Sequence, residues 1–490
     1  MSAPVATTST PLPPEFERAE FRRRRTQNWI VLGLLYAFFY MTRYNFAALM
    51  GPLSKTFGWT NTQLGVFETM MPFVYGLSVL VNGPLADRIG GKKAFLFGAV
   101  GVFFMNLLFG LETMLVQVPA VVQSAGHQMT VITPAQLMFG LSSGSVLTLM
   151  VATWALNGYF QSFGALSIVK VNAQWFHLRE RGTFAGIFGV LIRAGLLLAV
   201  QVVPLLVAWF GLAWGFLIPG LCVAVLFVAN WLGMAASPKD AGFGEMATGD
   251  ATDGGDGPAG LGYVLRKVFT NRTAWVIAFG SMMIGVVRRS TVDSWWTKYF
   301  DNVHMAHGQT SSTFWAYEIV VWGIALAGIA GGFVFGITSD KVLGGRRAPV
   351  ITLGFLGMAV TLALFGLCDR IGLGPWPAAV LLPLLSFFVN GSHGMIGGAA
   401  SMDFGGKKAA ATAAGLFDGI QYLAAAPLTG MGMGYLLDHW GFAAWQWAPI
   451  PFALVGALLL SRIWSVAPGG HAKAAAPAVA DVRSAAAGKR

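Results

Sequence analysis

About twelve times along its 490 residues the chain turns apolar for long enough to cross about 30 Å of hydrocarbon, and that recurrence restricts the fold more than anything else in it. The stretches lie near 29–51, 63–84, 94–114, 146–172, 184–209, 213–236, 273–296, 314–337, 349–368, 376–397, 410–436 and 443–465. A helix satisfies all its backbone polar groups within one segment, so the expectation is an all-α membrane protein of about twelve transmembrane helices. A composition 55% hydrophobic and 11% charged lies outside that of soluble domains of this size. The first stretch is too long for a secretory h-region and no small-residue cleavage site follows it, so it is expected to stay as the first span. Residues 113–145, with TMLVQVPAVV and TPAQLMFGL, are expected to form a long external loop.

The net charge of +11 follows loop parity rather than forming a nucleic-acid patch. Arg22 to Arg25, Arg88, Lys92, Lys93, Arg179, Arg181, Arg266, Lys267, Lys341, Arg346, Arg347, Lys407 and Lys408 fall on one side, against Lys55, Lys298 and Arg370 on the other. The asymmetry places both termini in the cytoplasm, with a bacterial inner membrane the expected location. Cys222 and Cys368 are far apart in sequence and support neither a disulfide framework nor a metal cluster. No nucleophile, metal-ligand or nucleotide motif stands out, so no enzyme activity, metal or cofactor is expected.

The chain reads as two halves. Residues 1–27 and 467–490 are expected to be disordered cytoplasmic tails, and 237–270, with GDATDGGDGPAG, a flexible cytoplasmic linker between bundles at 28–236 and 271–466. GPLADRIGGKK, with Asp87, Arg88 and Lys92, follows the second stretch; GITSDKVLGGRR, with Asp340, Lys341 and Arg346, follows the eighth. Two tight basic turns in register imply parallel six-helix repeats about a membrane-normal axis. Their acids can cap a helix or pair with a cation when the cytoplasmic side closes, a gating role.

Arg43 and Arg288 interrupt apolar stretches one and seven. A guanidinium at mid-membrane depth costs about 2.5–3.5 kcal/mol on insertion scales, so each is expected to face a watery cavity or an anionic partner. Tyr36, Tyr40 and Arg43 are spaced four and three apart and share one helical face. Such a stripe suits a phosphate or carboxylate held by guanidinium and phenol groups.

YAFFYMTRYNFA, VYGLSVLVNGPLADR, WFHLRERG, VVRRSTVDSWW, AYEIVVWG and GKKAAATAAG resemble, in order and spacing, the organophosphate:phosphate antiporters of the major facilitator superfamily, over about residues 28–465. The resemblance implies the major facilitator fold, two pseudo-symmetric six-helix bundles, and exchange of a phosphate ester of the glycerol-3-phosphate, sugar-phosphate or phosphoglycerate class for inorganic phosphate by alternating access. It implies that Arg43 and Arg288 grip the phosphoryl group. It also implies that Tyr36, Tyr40, Tyr75 and Tyr422 line the cavity, that Lys170 is the basic residue of the fourth span and Glu318 the acid of the eighth, and that the protein is a monomer. The chain departs from the glycerol-phosphate pattern where Val79 replaces a lysine and Gln174 a histidine.

Other charges are this chain's own. Asp293, Arg289 and Glu318 are read as a structural ion-pair network. Asp418 is read as a cavity residue that balances Arg193 or Arg289, or reads a cationic or hydroxylated part of the solute. His393 is either the missing proton-sensitive group or a packing histidine. Two further functions stay open: an organophosphate sensor with a transporter fold, and a proton-coupled symporter or exporter of another organic anion, using Glu68, Glu318 and Asp418.

Overall fold

The computed structural model describes residues 17–115, 120–124, 127–131, 143–176, 190–191, 193–244, 270, 272–304, 314–343, 346–396 and 417–466. Among them, each of the twelve apolar stretches carries a helix. The first half contains α1 (Ala19–Phe57), α2 (Asn61–Ile89), α3 (Gly91–Leu115), α4 (Ser143–Trp175), α5 (Arg193–Phe210) and α6 (Trp214–Gly233). In the second lie α7 (272–303), α8 (315–342), α9 (Arg347–Arg370), α10 (Trp376–Gly394), α11 (417–440) and α12 (Ile450–Ser461). Six, namely α2, α3, α5, α6, α8 and α9, contain spans long and apolar enough by length and composition to cross a membrane. The arginines in α1 and α7 lower the hydropathy of those helices and mark them as something other than lipid-facing.

Pairing of helices repeats between the halves. α2 packs on α4 as α8 packs on α10, α3 on α6 as α9 on α12, α3 on α4 as α9 on α10, and α1 on α6 as α7 on α12. A shift of six helices maps each pair onto its counterpart, the pattern parallel repeats require. Between the halves, α1 meets α7 and α2 meets α11.

Two expected boundaries change, and a third region gains local structure. Residues 19–27, assigned to the tail, continue α1 because Phe21 stacks on Trp175 at 5.7 Å and meets Phe243 edge-on at 5.5 Å. The linker likewise begins with ordered chain: Ser237 and Asp240 bond reciprocally, Ser237 N donating to Asp240 Oδ2 at 3.0 Å and Asp240 N to Ser237 Oγ at 3.3 Å. Inside 113–145, Ala120–Ser124 pairs antiparallel with His127–Val131, a small hairpin in an otherwise helical fold. Residues 1–16, 245–269 and 467–490, most of the expected linker and tails, lie outside the described residues.

The end of the bundle carrying Arg22–Arg25 and Lys92 is called the basic end below, its opposite the far end. At the far end Asp438 of α11 accepts from Asn61 N at 2.9 Å and Thr62 N at 2.7 Å, capping α2 across the halves. Lys55 of α1 pairs with Asp301 of α7 at 2.8 Å. Beneath them α2 and α11 cross so closely that a Cβ on Gly65 would stand 2.5 Å from the Gly430 carbonyl oxygen, so only glycine fits.

Candidate functional site

α1 carries Tyr36, Tyr40 and Tyr44 at intervals of four, so their rings climb one face; Tyr36 meets Tyr40 edge-on at 5.2 Å and Tyr40 stacks on Tyr44 at 5.9 Å. Arg43, 9% exposed, projects beside this ladder. Its guanidinium lies over Tyr40 at 4.8 Å and over Tyr75 of α2 at 4.6 Å, and donates to Gln161 Oε1 of α4 at 3.2 Å. Gln161 is held in that orientation because its amide donates to Phe39 O at 3.0 Å and Thr42 Oγ1 at 3.1 Å. Among the described residues Arg43 has no carboxylate partner, and its Nε is buried without an acceptor.

The second half supplies the other arginine from a widened stretch of α7: Arg288–Asp293 form a π turn between Arg272–Val287 and Trp295–Val303. Arg288, 7% exposed, donates to Tyr422 Oη at 3.2 Å, contacts Asp293 Oδ2 through Nε at 3.1 Å and meets His393 Nε2 at 2.9 Å. A guanidinium can only donate, so that ring nitrogen accepts and the imidazole proton sits on Nδ1. Tyr75 and Tyr422 touch edge-to-face at 5.1 Å, one from each half, so the two arginines converge on one pair of tyrosine rings. Tyr44 Oη donates to Asp293 Oδ2 at 3.3 Å, tying the ladder to α7. Asp418, half-buried and one turn before Tyr422, lies within electrostatic reach of Arg43, Arg288 and Tyr75.

The expected network of Asp293, Arg289 and Glu318 is not formed; its members separate. Arg288 and Arg289 are neighbours on the π turn, and Asp293, five residues after Arg288, lies on the face of Arg288 and pairs with it. Arg289 reaches α2 instead, donating to Glu68 Oε2 at 3.2 Å and lying 5.7 Å from the Tyr422 ring. Glu318 accepts from Gln201 of α5 at 2.5 Å. Arg193 bonds Asn390 of α10 and feels Asp293 and Arg288; no ion pair links it to Asp418.

Lys170 and Gln174 do not join the arginines. They lie nine and thirteen residues beyond Gln161, about 14 and 20 Å along the helix toward the basic end. Lys170 donates to Ala86 O at 3.2 Å and Gln174 is exposed. Among the expected gating charges, Lys92 caps α6, donating to Trp231 O at 2.9 Å and Met234 O at 2.5 Å. Arg346 closes its own turn, Nε to Leu343 O at 3.1 Å, and Lys341 is exposed. The side chains of Asp87, Arg88 and Asp340 lie outside those described.

Sequence reading missed Tyr44 and Gln161, and read Glu68 as a group for proton coupling without its pairing with Arg289. Tyr44 had a signal, its place four residues after Tyr40. Gln161 and the Glu68–Arg289 pair depend on how helices face one another, which spacing along one helix does not encode.

The family model described as Major Facilitator Superfamily matches residues 32–429. A probable hexose phosphate transport protein of Chlamydia trachomatis is 26% identical over 92% of this chain and 93% of its own. The hexose-6-phosphate:phosphate antiporter of Escherichia coli is 25% identical, over 93% of each chain, and the membrane sensor protein UhpC of the same organism 24% identical, over 90% of this chain and 92% of its own. The crystal structure of a D-xylose-proton symporter superposes with a TM-score of 0.65 at 16% identity, covering 91% of this chain and 98% of that one, which supports the fold.

Proposed function

Since the chain belongs to the major facilitator superfamily, we propose that it is a secondary active transporter exchanging an organic phosphate ester for inorganic phosphate, with Arg43 and Arg288 as the phosphoryl grip. The observation that carries this reading is Arg43, a buried cation clasped by two tyrosine faces and one amide, with no described carboxylate to neutralise it. A cation so placed, with no direct ion pair and Asp418 only within electrostatic reach, suits an anion that enters the cavity. Phosphate monoesters supply one, at about −1.5 to −2 charges near neutral pH, with oxygens that suit guanidinium forks.

Tyr40, Tyr75 and Tyr422 flank the grip, Gln161 and Asp293 orient its two arginines, and His393 of α10 supports Arg288 through the other terminal nitrogen from the one that meets Tyr422. Tyr36 extends the aromatic wall toward the basic end. An oxyanion between Arg43 and Arg288 draws the halves together by satisfying both, so the loaded carrier reorients more readily than the empty one. Obligatory exchange follows. By the positive-inside rule the basic end faces the cytoplasm and the far end outward, with both termini inside a bacterial inner membrane; the solute partner is a small anion, and the working unit a monomer. The bundles span 28–236 and 271–466.

Proteoliposomes loaded with unlabelled phosphate test this. Labelled phosphate is expected to enter without a proton gradient. A solute driven only by a proton gradient would point to a symporter. Binding with negligible flux would favour a sensor, the alternative raised by the similarity to UhpC.

A further inference from the structure

Asp418 is a carboxylate inside a site built for an anion. It stands on α11 one turn before Tyr422, which holds Arg288, and it is half-buried with no hydrogen bond or ion pair to any described side chain. The other acids named above have partners: Asp293 has Arg288 and Tyr44, Glu68 has Arg289, and Glu318 has Gln201. Leaving a carboxylate unpartnered beside the grip weakens it for a simple dianion, since like charges repel in a poorly solvated cavity. Around the phosphate position stand three cations, Arg43, Arg193 and Arg288, and two carboxylates, Asp293 and Asp418. Their excess of one positive charge matches a guest of net charge near −1 better than one near −2.

Resting on the phosphate-grip reading, we propose that Asp418 is the specificity-determining residue for an organic phosphate that carries its own positive charge, a short aminoalkyl phosphate ester. The phosphoryl group lies between the arginines. The ammonium lies one helical turn nearer the basic end, against the Asp418 carboxylate. Four residues of helix advance about 6 Å, which a two- or three-carbon linker spans. The ammonium supplies the hydrogen bonds that Asp418 lacks, and a neutral chain of equal length leaves it desolvated without them.

In phosphate counterflow, 2-aminoethyl phosphate is expected to compete about tenfold or more better than n-propyl phosphate, its uncharged isostere, the discrimination one charge-assisted hydrogen bond supplies. Asp418→Asn is expected to abolish that preference and to tighten binding of inorganic phosphate severalfold, an opposite pair of effects that a packing role would not give. Asp418→Glu is expected to retain the preference. Equal competition by the two esters in the unaltered protein, or a preference that survives Asp418→Asn, overturns the assignment. If the unaltered protein shows no phosphate counterflow, the exchange reading fails by itself; the assignment to Asp418 is then decided by thermal shift with the same two esters, a larger shift with the amine supporting it and equal shifts overturning it.

Discussion

Arg43 and Arg289 are both buried in lipid-spanning helices, yet they ask for different things. Arg289 has Glu68, so the pair is internally neutral. Glu68→Gln is expected to cost about 3–5 kcal/mol of stability by leaving a buried cation alone, while the double change Glu68→Leu with Arg289→Met recovers most of it; melting of the purified variants measures both. Arg43 has no such acid, and Arg43→Lys is expected to cut phosphate exchange by about tenfold or more with little loss of melting temperature, because an ammonium lacks the planar fork. Equal counterflow in Arg43→Lys and the unaltered protein would reject its role. The arginines were legible in the sequence because a guanidinium in an apolar stretch is rare and costly. Their partners were not: Gln161 and Glu68 meet them across helix interfaces, and Lys170, which looked equally apt, sits too far along α4.

At the scale of elements, apolar length located all twelve helices, since burying a backbone in lipid admits few alternatives. Their ends were less legible, because α1 extends past its apolar stretch on the strength of Phe21 meeting Trp175 and Phe243. The π turn in α7 was also invisible, being a matter of backbone hydrogen bonding rather than side-chain period. The cap on α2 is the element to test. Asp438→Ala removes acceptors from two helix N-terminal amides and is expected to lower stability by about 0.5–2 kcal/mol. It also frees the far end of α2 from α11, so a Thr69→Cys reporter in a background lacking Cys222 and Cys368 is expected to react faster with an impermeant thiol reagent added on that side. Unchanged labelling would show that the cap does not hold the far end shut.

For the whole molecule, the repeated helix pairs mean that each half completes its own packing, and the halves meet chiefly through α1 with α7 and α2 with α11. Cutting the chain between Gly244 and Thr270 is therefore expected to leave two pieces that co-purify when expressed together and still exchange phosphate; failure to co-purify would place essential cohesion in the connecting segment. The duplication was legible from the paired basic turns, in which Lys92 caps α6 and Arg346 closes its own turn.

One asymmetry between the lobes has a further result. An oxyanion settling between them finds Arg288 already shared with Asp293, whereas Arg43 is claimed by no acid. On the proposed reading, the passenger is held more firmly by the first lobe than by the second, which would give a nominally twofold machine a preferred hand: one jaw carries and the other lets go.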